Sequence, residues 1–156
     1  RYDDNETILI KRLLQRILPF QERKKIIDEL FKKYLNVSER EFTESLYFNE
    51  KQLIEMNSNG MDFGSHGVNH FWWEDLKIED QMIEITKSVE YLKKLLINNS
   101  NISVCYPYGS YNKDTLSLLK KLDICFALTT KVDSLNQKNI KYKYEIPRLN
   151  TNDFLY

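Results

Sequence analysis

From Gly60 onward the chain alternates short strand-like runs with longer helical stripes, and that alternation leaves few folds open to it. Met61-Asp62-Phe63-Gly64-Ser65 alternates apolar and polar residues after a glycine stop, which predicts a short strand entering a loop. Ile102-Ser103-Val104-Cys105-Tyr106 and Ile124-Cys125-Phe126-Ala127-Leu128 read as two further strands. Tyr144 to Leu149 is extended because Pro147 excludes a helix. Between these runs, residues 78–97 carry Met82, Ile85, Val89, Leu92 and Leu96 at alternating three and four residue steps, and Asn112 opens a helix over residues 113–122. This is the order of parallel strands with helical crossovers, so the expected fold class is α/β, as a barrel or an open sheet.

The first sixty residues hold no good strand. A helical stripe runs from Asn5 to Leu18 and stops at Pro19. A second, from Glu22 to Leu35, places Ile26, Ile27, Leu30, Phe31, Tyr34 and Leu35 on one face. Ser38 with Glu41 resembles a capping box, and Asn49 with Gln52 opens a helix that ends before Gly60. Residues 1–44 are therefore expected to be a helical insertion or extension, and 45–156 the α/β part. The 156 residues, 42% of them hydrophobic, suffice for one core. Equal counts of 23 basic and 23 acidic side chains argue against a nucleic-acid surface, which needs clustered excess Lys and Arg. No apolar run approaches the roughly 20 residues of a transmembrane helix. The chain does not begin with methionine, so a leader or anchor upstream stays open, as does the compartment, with the cytoplasm slightly favoured over the cell envelope. Cys105 and Cys125 lie in apolar runs without a Cys-x-x-Cys spacing and are expected to be buried reduced thiols.

The chain has two histidines, His66 and His70, four residues apart where the first strand should end. Imidazole is the commonest zinc ligand, and this spacing can turn both rings toward one ion. Loops at the carboxyl ends of parallel strands are where α/β folds carry chemistry. The pair is not the zinc protease signature, because Gly67 stands where His-Glu-x-x-His has its base.

Three stretches, in order, resemble the polysaccharide deacetylases of carbohydrate esterase family 4, the NodB-homology domains. Asn59 to His70 is similar to that family's second motif, His-[Ser/Thr]-x-x-His. Tyr106-Pro107-Tyr108-Gly109-Ser110 is similar to the third, Arg-x-Pro-[Tyr/Phe]-Gly, and Ile146-Pro147-Arg148-Leu149-Asn150 to the fourth. The resemblance implies part of a (β/α) barrel-like deacetylase domain with an N-terminal helical insertion. It implies a divalent metal, zinc first with cobalt and nickel as alternatives, held by His66 and His70. The Tyr108 backbone N–H would help hold the oxyanion, and Pro107 and Tyr108 would form one wall of the groove. Arg148 would orient a catalytic aspartate. Trp72, with Phe71 and Trp73, would offer a flat apolar face to a pyranose ring, core packing being the alternative.

The departures are as specific. Gly67 replaces the Ser or Thr of the second motif, and Cys105 stands where the third has arginine. The first motif, Phe-Asp-Asp-Gly, supplies the base and the third ligand. Tyr2-Asp3-Asp4-Asn5 imitates it without a preceding strand. The fifth motif, Leu-x-His, has no counterpart. The resemblance implies removal of N-acetyl groups from a glycan, with acetate released, this fragment alone being inactive. The alternative is an inactive glycan- or metal-binding module on the same scaffold.

Overall fold

The computed structural model describes residues 3–96 and 101–151; Tyr2, of the aspartate run, and Ile97, at the expected end of the long helix, lie outside them. The chain divides into two compact units, Arg1–Leu53 and Ile54–Tyr156.

In the first unit, α1 (Asn5–Arg12) begins at Asp4, whose Oδ1 accepts the Thr7 N–H at 2.7 Å, while Asp3 pairs with Lys11 at 2.7 Å. Both aspartates thus serve a helix start, one as its cap and one as a surface ion pair. A π-helical turn, Leu13–Ile17, continues α1 until Leu18 turns extended before Pro19. α2 (Phe20–Tyr34) follows, then α3 (Glu39–Leu46), which carries the expected capping box between Ser38 and Glu41. Phe31 and Phe42 meet edge to face at 5.6 Å. No residue of α1, α2 or α3 is fully buried, so the apolar face expected of Ile27 and Leu30 stays partly in solvent. α4 (Glu50–Ser58) runs through the boundary between the units and ends at Gly60, whose φ of +88° suits a residue without a Cβ.

The second unit holds the core. Its strands are shorter than the sequence predicts: β1 is Val104–Cys105 and β2 is Ala127–Leu128. The expected strand over residues 61–65 is reduced to one parallel bridge, Ser65 to Val104, and residues 144–149 to another, Leu128 to Ile146. An extended run becomes strand only where a neighbour pairs with it, and here each pairing spans one or two residues. The order is Ser65, β1, β2, Ile146, every pairing parallel and every spatial neighbour a neighbour in sequence. Among the described residues this row is an open sheet, and closure into a barrel is not seen.

α5 (Ile78–Leu95) buries Ile85, Val89 and Leu92 as its stripe predicts, but also Gln81 and Glu84, while Met82 is half-buried. α6 (Lys113–Lys121) packs beside it, and the two share a buried polar contact. Thr115 Oγ1 donates to Gln81 Oε1 at 2.6 Å, and Gln81 Nε2 donates to the Leu76 carbonyl at 3.1 Å, so neither buried polar group is left unsatisfied. Trp73, Val104, Leu119 and Ala127 are wholly enclosed. Cys105 and Cys125 are free and half-buried, less enclosed than expected. Among the described residues no helix is long and apolar enough to cross a membrane.

The contrast between the units makes a quantitative expectation. Leu119→Ala, at a site with 0% exposure, is expected to cost about 2–5 kcal/mol, and Leu30→Ala, at 43% exposure, less than about 1 kcal/mol. Urea unfolding of both variants, followed by far-ultraviolet circular dichroism, checks the ordering.

Candidate metal and hydrolase site

The parallel register decides what can meet. His66 directly follows the bridge residue Ser65, Pro107 lies two residues beyond the end of β1, and Arg148 lies two residues beyond the bridge residue Ile146. All three motif segments therefore leave the same edge of the sheet, the carboxyl edge, as parallel strands require.

His66 is locked from behind. Its Nδ1 lies 2.7 Å from the Cys105 carbonyl, which can only accept, so Nδ1 donates, and in the neutral form of the ring this tautomer leaves Nε2 unprotonated. That Nε2 stands 3.0 Å from Nε2 of His70. Metal–nitrogen bonds of about 2.0–2.1 Å, meeting at right to tetrahedral angles, separate two ligating nitrogens by roughly 2.9–3.4 Å. The pair fits two corners of a coordination shell. Among the described residues no third His, Cys, Asp or Glu joins it.

His70 reaches this position through an uncommon backbone. Its φ is +56°, in the left-handed region that disfavours a side chain. Its ring lies edge-on to Tyr108 with centroids 4.4 Å apart, and Tyr108, with φ +57°, stacks flat on Trp72 at 4.5 Å and 4°. Ring packing of this kind is worth about 0.5–1.5 kcal/mol per pair beyond burial, comparable to the local strain of each left-handed residue. Partial enclosure against Tyr108 holds the His70 imidazolium below its ordinary range, and the neighbouring His66 adds to the effect.

The loop between the histidines wraps a carboxylate. Glu84 of α5, 3% exposed, accepts the Val68 N–H at 3.0 Å, the Asn69 N–H at 2.9 Å and the Asn69 side-chain amide. Gly67, the departure from the resembled motif, has φ +78°, and a Cβ there would lie 3.1 Å from Glu84 Oε2 and 3.2 Å from Trp73. Ser65 donates or accepts across to Ser88 of α5 at 2.6 Å. Hydrophobic periodicity passes over Glu84, because the stripe of α5 is defined by its apolar residues alone. A glutamate one position from Ile85, inside the stripe, was the available signal.

The Pro107–Gly109 turn is fixed similarly. Tyr106 donates its hydroxyl to the Tyr144 carbonyl at 2.6 Å, Ser110 Oγ accepts the Glu74 N–H at 3.0 Å, and a Cβ on Gly109 would collide with the Thr130 side chain. Burial pushes the Tyr106 phenol well up, so it remains a donor. Trp72 is half-buried with one face on Tyr108, whereas Trp73 is core. Pro147 is buried and Arg148 is exposed, its N–H bonded to the Lys131 carbonyl at 3.0 Å; its guanidinium makes no ion pair among the described residues. A cavity of about 360 Å³ beside the loop is lined by His66, Val68, Lys87, Ser88 and Tyr91, within the size range of small-ligand sites.

Comparison with known proteins concerns the chain as a whole. A family model described as polysaccharide deacetylase matches residues 3–127. Among solved structures the chain is similar to the Streptococcus pyogenes deacetylase PplD in complex with acetate, at a TM-score of 0.63 and 30% sequence identity. The match covers 70% of this chain and 47% of that one, so this chain spans about half the length of that protein. Comparison with curated protein sequences gives no match.

Two outcomes follow for the isolated site. In an NMR titration without metal, His70 is expected to gain its proton at a midpoint below the ordinary 6.5. Because the unfolded chain then binds the proton first, His70's contribution to stability is present above about pH 6.5 and lost as pH falls through the folded value, and His70→Ala should flatten stability over that interval. Gly67→Ala is expected to lower stability by about 1–2 kcal/mol, from the left-handed backbone, in the same urea assay.

Proposed function

Because the chain belongs to the polysaccharide deacetylase family, we propose that it is the metal-binding part of a hydrolase that removes N-acetyl groups from a glycan, releasing acetate and leaving a free amine. The observation that carries the reading is the pair of imidazole Nε2 atoms 3.0 Å apart, one of them with its tautomer set by a backbone carbonyl. A carbonyl behind a histidine is the usual way a metal ligand is oriented and its basicity raised.

His66 and His70 would hold a divalent metal, zinc first, with the remaining protein ligand and the general base being carboxylates outside the described residues. Bound there, the metal supplies Lewis acidity that polarises a carbonyl and lowers the pKa of water. The chain's own residues do the positioning. Tyr108 stands ring to ring with His70, which supports its backbone N–H as the donor to the developing oxyanion beside the metal pair. Pro107, enclosed and rigid in φ, keeps that turn in place. Trp72, held flat against Tyr108, is the candidate platform for a pyranose ring. Arg148 leaves the same edge of the sheet, which supports its role in orienting the carboxylate base through a planar fork.

The protein encoded by the complete gene is expected to release acetate from an N-acetylated oligosaccharide, to stop on chelation and to resume on adding zinc. His66→Ala should lower kcat/KM by more than about 100-fold, since removing even an outer partner of a ligand costs about 10–100-fold. A protein that binds zinc through these histidines but leaves every N-acetylated glycan intact would establish the binding module instead.

A further inference from the structure

We infer that Glu84 is the positioning residue of the histidine loop: its buried carboxylate, held by donors of residues 68 and 69, fixes the turn that brings His66 and His70 ring to ring and thereby sets the pair's affinity for a divalent cation. The inference rests on the reading of the pair as metal ligands, and it assigns to α5 a part in the site that none of the motif segments contains.

The geometry is specific. Glu84 is enclosed, at 3% exposure, and no ion pair with it is formed among the described residues. A buried carboxylate is costly unless its oxygens are saturated with hydrogen bonds. Here the donors come from the loop: Val68 N–H at 3.0 Å and Asn69 N–H at 2.9 Å converge on Oε2, and the Asn69 amide reaches Oε1. Successive backbone N–H groups following a left-handed residue form an anion-binding concavity, and Gly67, at φ +78°, is that residue. The loop and the carboxylate therefore need each other. Without the anion, two N–H groups would point into an enclosed site with no acceptor. Without the loop, the charge would have no donors.

The consequence reaches the ligands by chain connectivity. Asn69 precedes His70, whose φ of +56° must be imposed from outside because a histidine does not favour it. On one side Tyr108 packs against the ring, and on the other Glu84 holds the backbone of residues 68 and 69. Ser88, one turn beyond Glu84, meets Ser65 at 2.6 Å, so α5 grips the loop at both of its ends. Outer partners that orient metal-binding histidines typically change affinity by about 10–100-fold when lost.

The test uses the 156-residue chain with zinc alone as the probe. Glu84→Gln keeps the size but removes the charge that the loop N–H groups surround, and Asn69→Ala removes one donor from the other side while leaving the core intact. Zinc affinity by calorimetry, amide proton exchange at Val68 and Asn69, and the thermal midpoint are measured together. E84Q is expected to bind zinc at least about tenfold more weakly and to exchange those amides faster, and N69A to show a smaller shift in the same direction. Should E84Q not fold, N69A decides: unchanged affinity and unchanged Val68 protection overturn the inference. Wild-type affinity and protection in a folded E84Q overturn it likewise, as does a fall in affinity that follows only a general loss of stability. If the wild-type chain takes up no zinc, the pair is not a cation site in this chain and the affinity part of the inference is overturned, while proton exchange at Val68 and Asn69 in E84Q still decides whether Glu84 holds the loop.

Discussion

The Ser65 N–H donates to the Ser103 carbonyl at 2.8 Å, and the Ser65 carbonyl accepts the Cys105 N–H at 2.9 Å; these bonds place the histidine loop beside β1. Once that register is set, the Cys105 carbonyl lies where it can receive Nδ1 of His66, and the Pro107–Gly109 turn leaves the sheet at the level of His70. The same row continues to β2 and Ile146, which carries the Arg148 segment out at the same edge. A one-residue slip would reverse every side chain and would move the carbonyl away from the imidazole. The ladder is short, yet the positions of the motif segments depend on it.

Around the ladder, the second unit spends its buried polar groups on holding loops. Gln81 and Thr115 tie α5 to α6, Glu84 ties α5 to the histidine loop, and Tyr106 ties the third motif to Tyr144. Each such group would be destabilising if left alone and is neutral or better when its partners are complete. Left-handed backbone is concentrated in the same place, at Gly67, His70, Tyr108 and Gly109. Two of those positions are glycines whose Cβ would meet a neighbour, and two are aromatic side chains packed on each other. Local strain is tolerated because ring contacts and the buried carboxylate determine the loop from both sides. Gly67, which departs from the family's usual Ser or Thr, is thereby accounted for by its backbone conformation.

Much of this was legible in the residues. The helices over 78–95 and 113–121, the capping box at Ser38, the helix start at Asn112 and the parallel order of the extended runs follow from periodicity and from cap chemistry, which act within a few residues of the chain. The motif order of His66, Tyr108 and Arg148 resembles the deacetylase family, and the match over residues 3–127, which ends before Arg148, shows that family. The strands are shorter than the extended runs that hold them, because pairing depends on a neighbour that local sequence does not contain. Trp72 and Trp73 look alike in sequence, yet one stacks on Tyr108 and the other is fully enclosed, since Trp72 is extended and Trp73 opens the tight helical turn over Trp73–Asp75. The helical stripe of α2 has the pattern of a core face, yet Ile27 and Leu30 remain more than 40% exposed.

The sequence by itself determined where helices begin and end, which segments are extended, and that two imidazoles lie close in the chain, because capping, periodicity and proline geometry are local. Only the tertiary structure decided that those imidazoles face each other at 3.0 Å, which ring nitrogen carries the proton, and that a glutamate from a helix fifteen residues later organises the turn between them. Those outcomes come from hydrogen bonds between segments far apart in sequence. Their partners are chosen by sheet register and by the need to satisfy every buried polar group, and neither is written in any single stretch of residues.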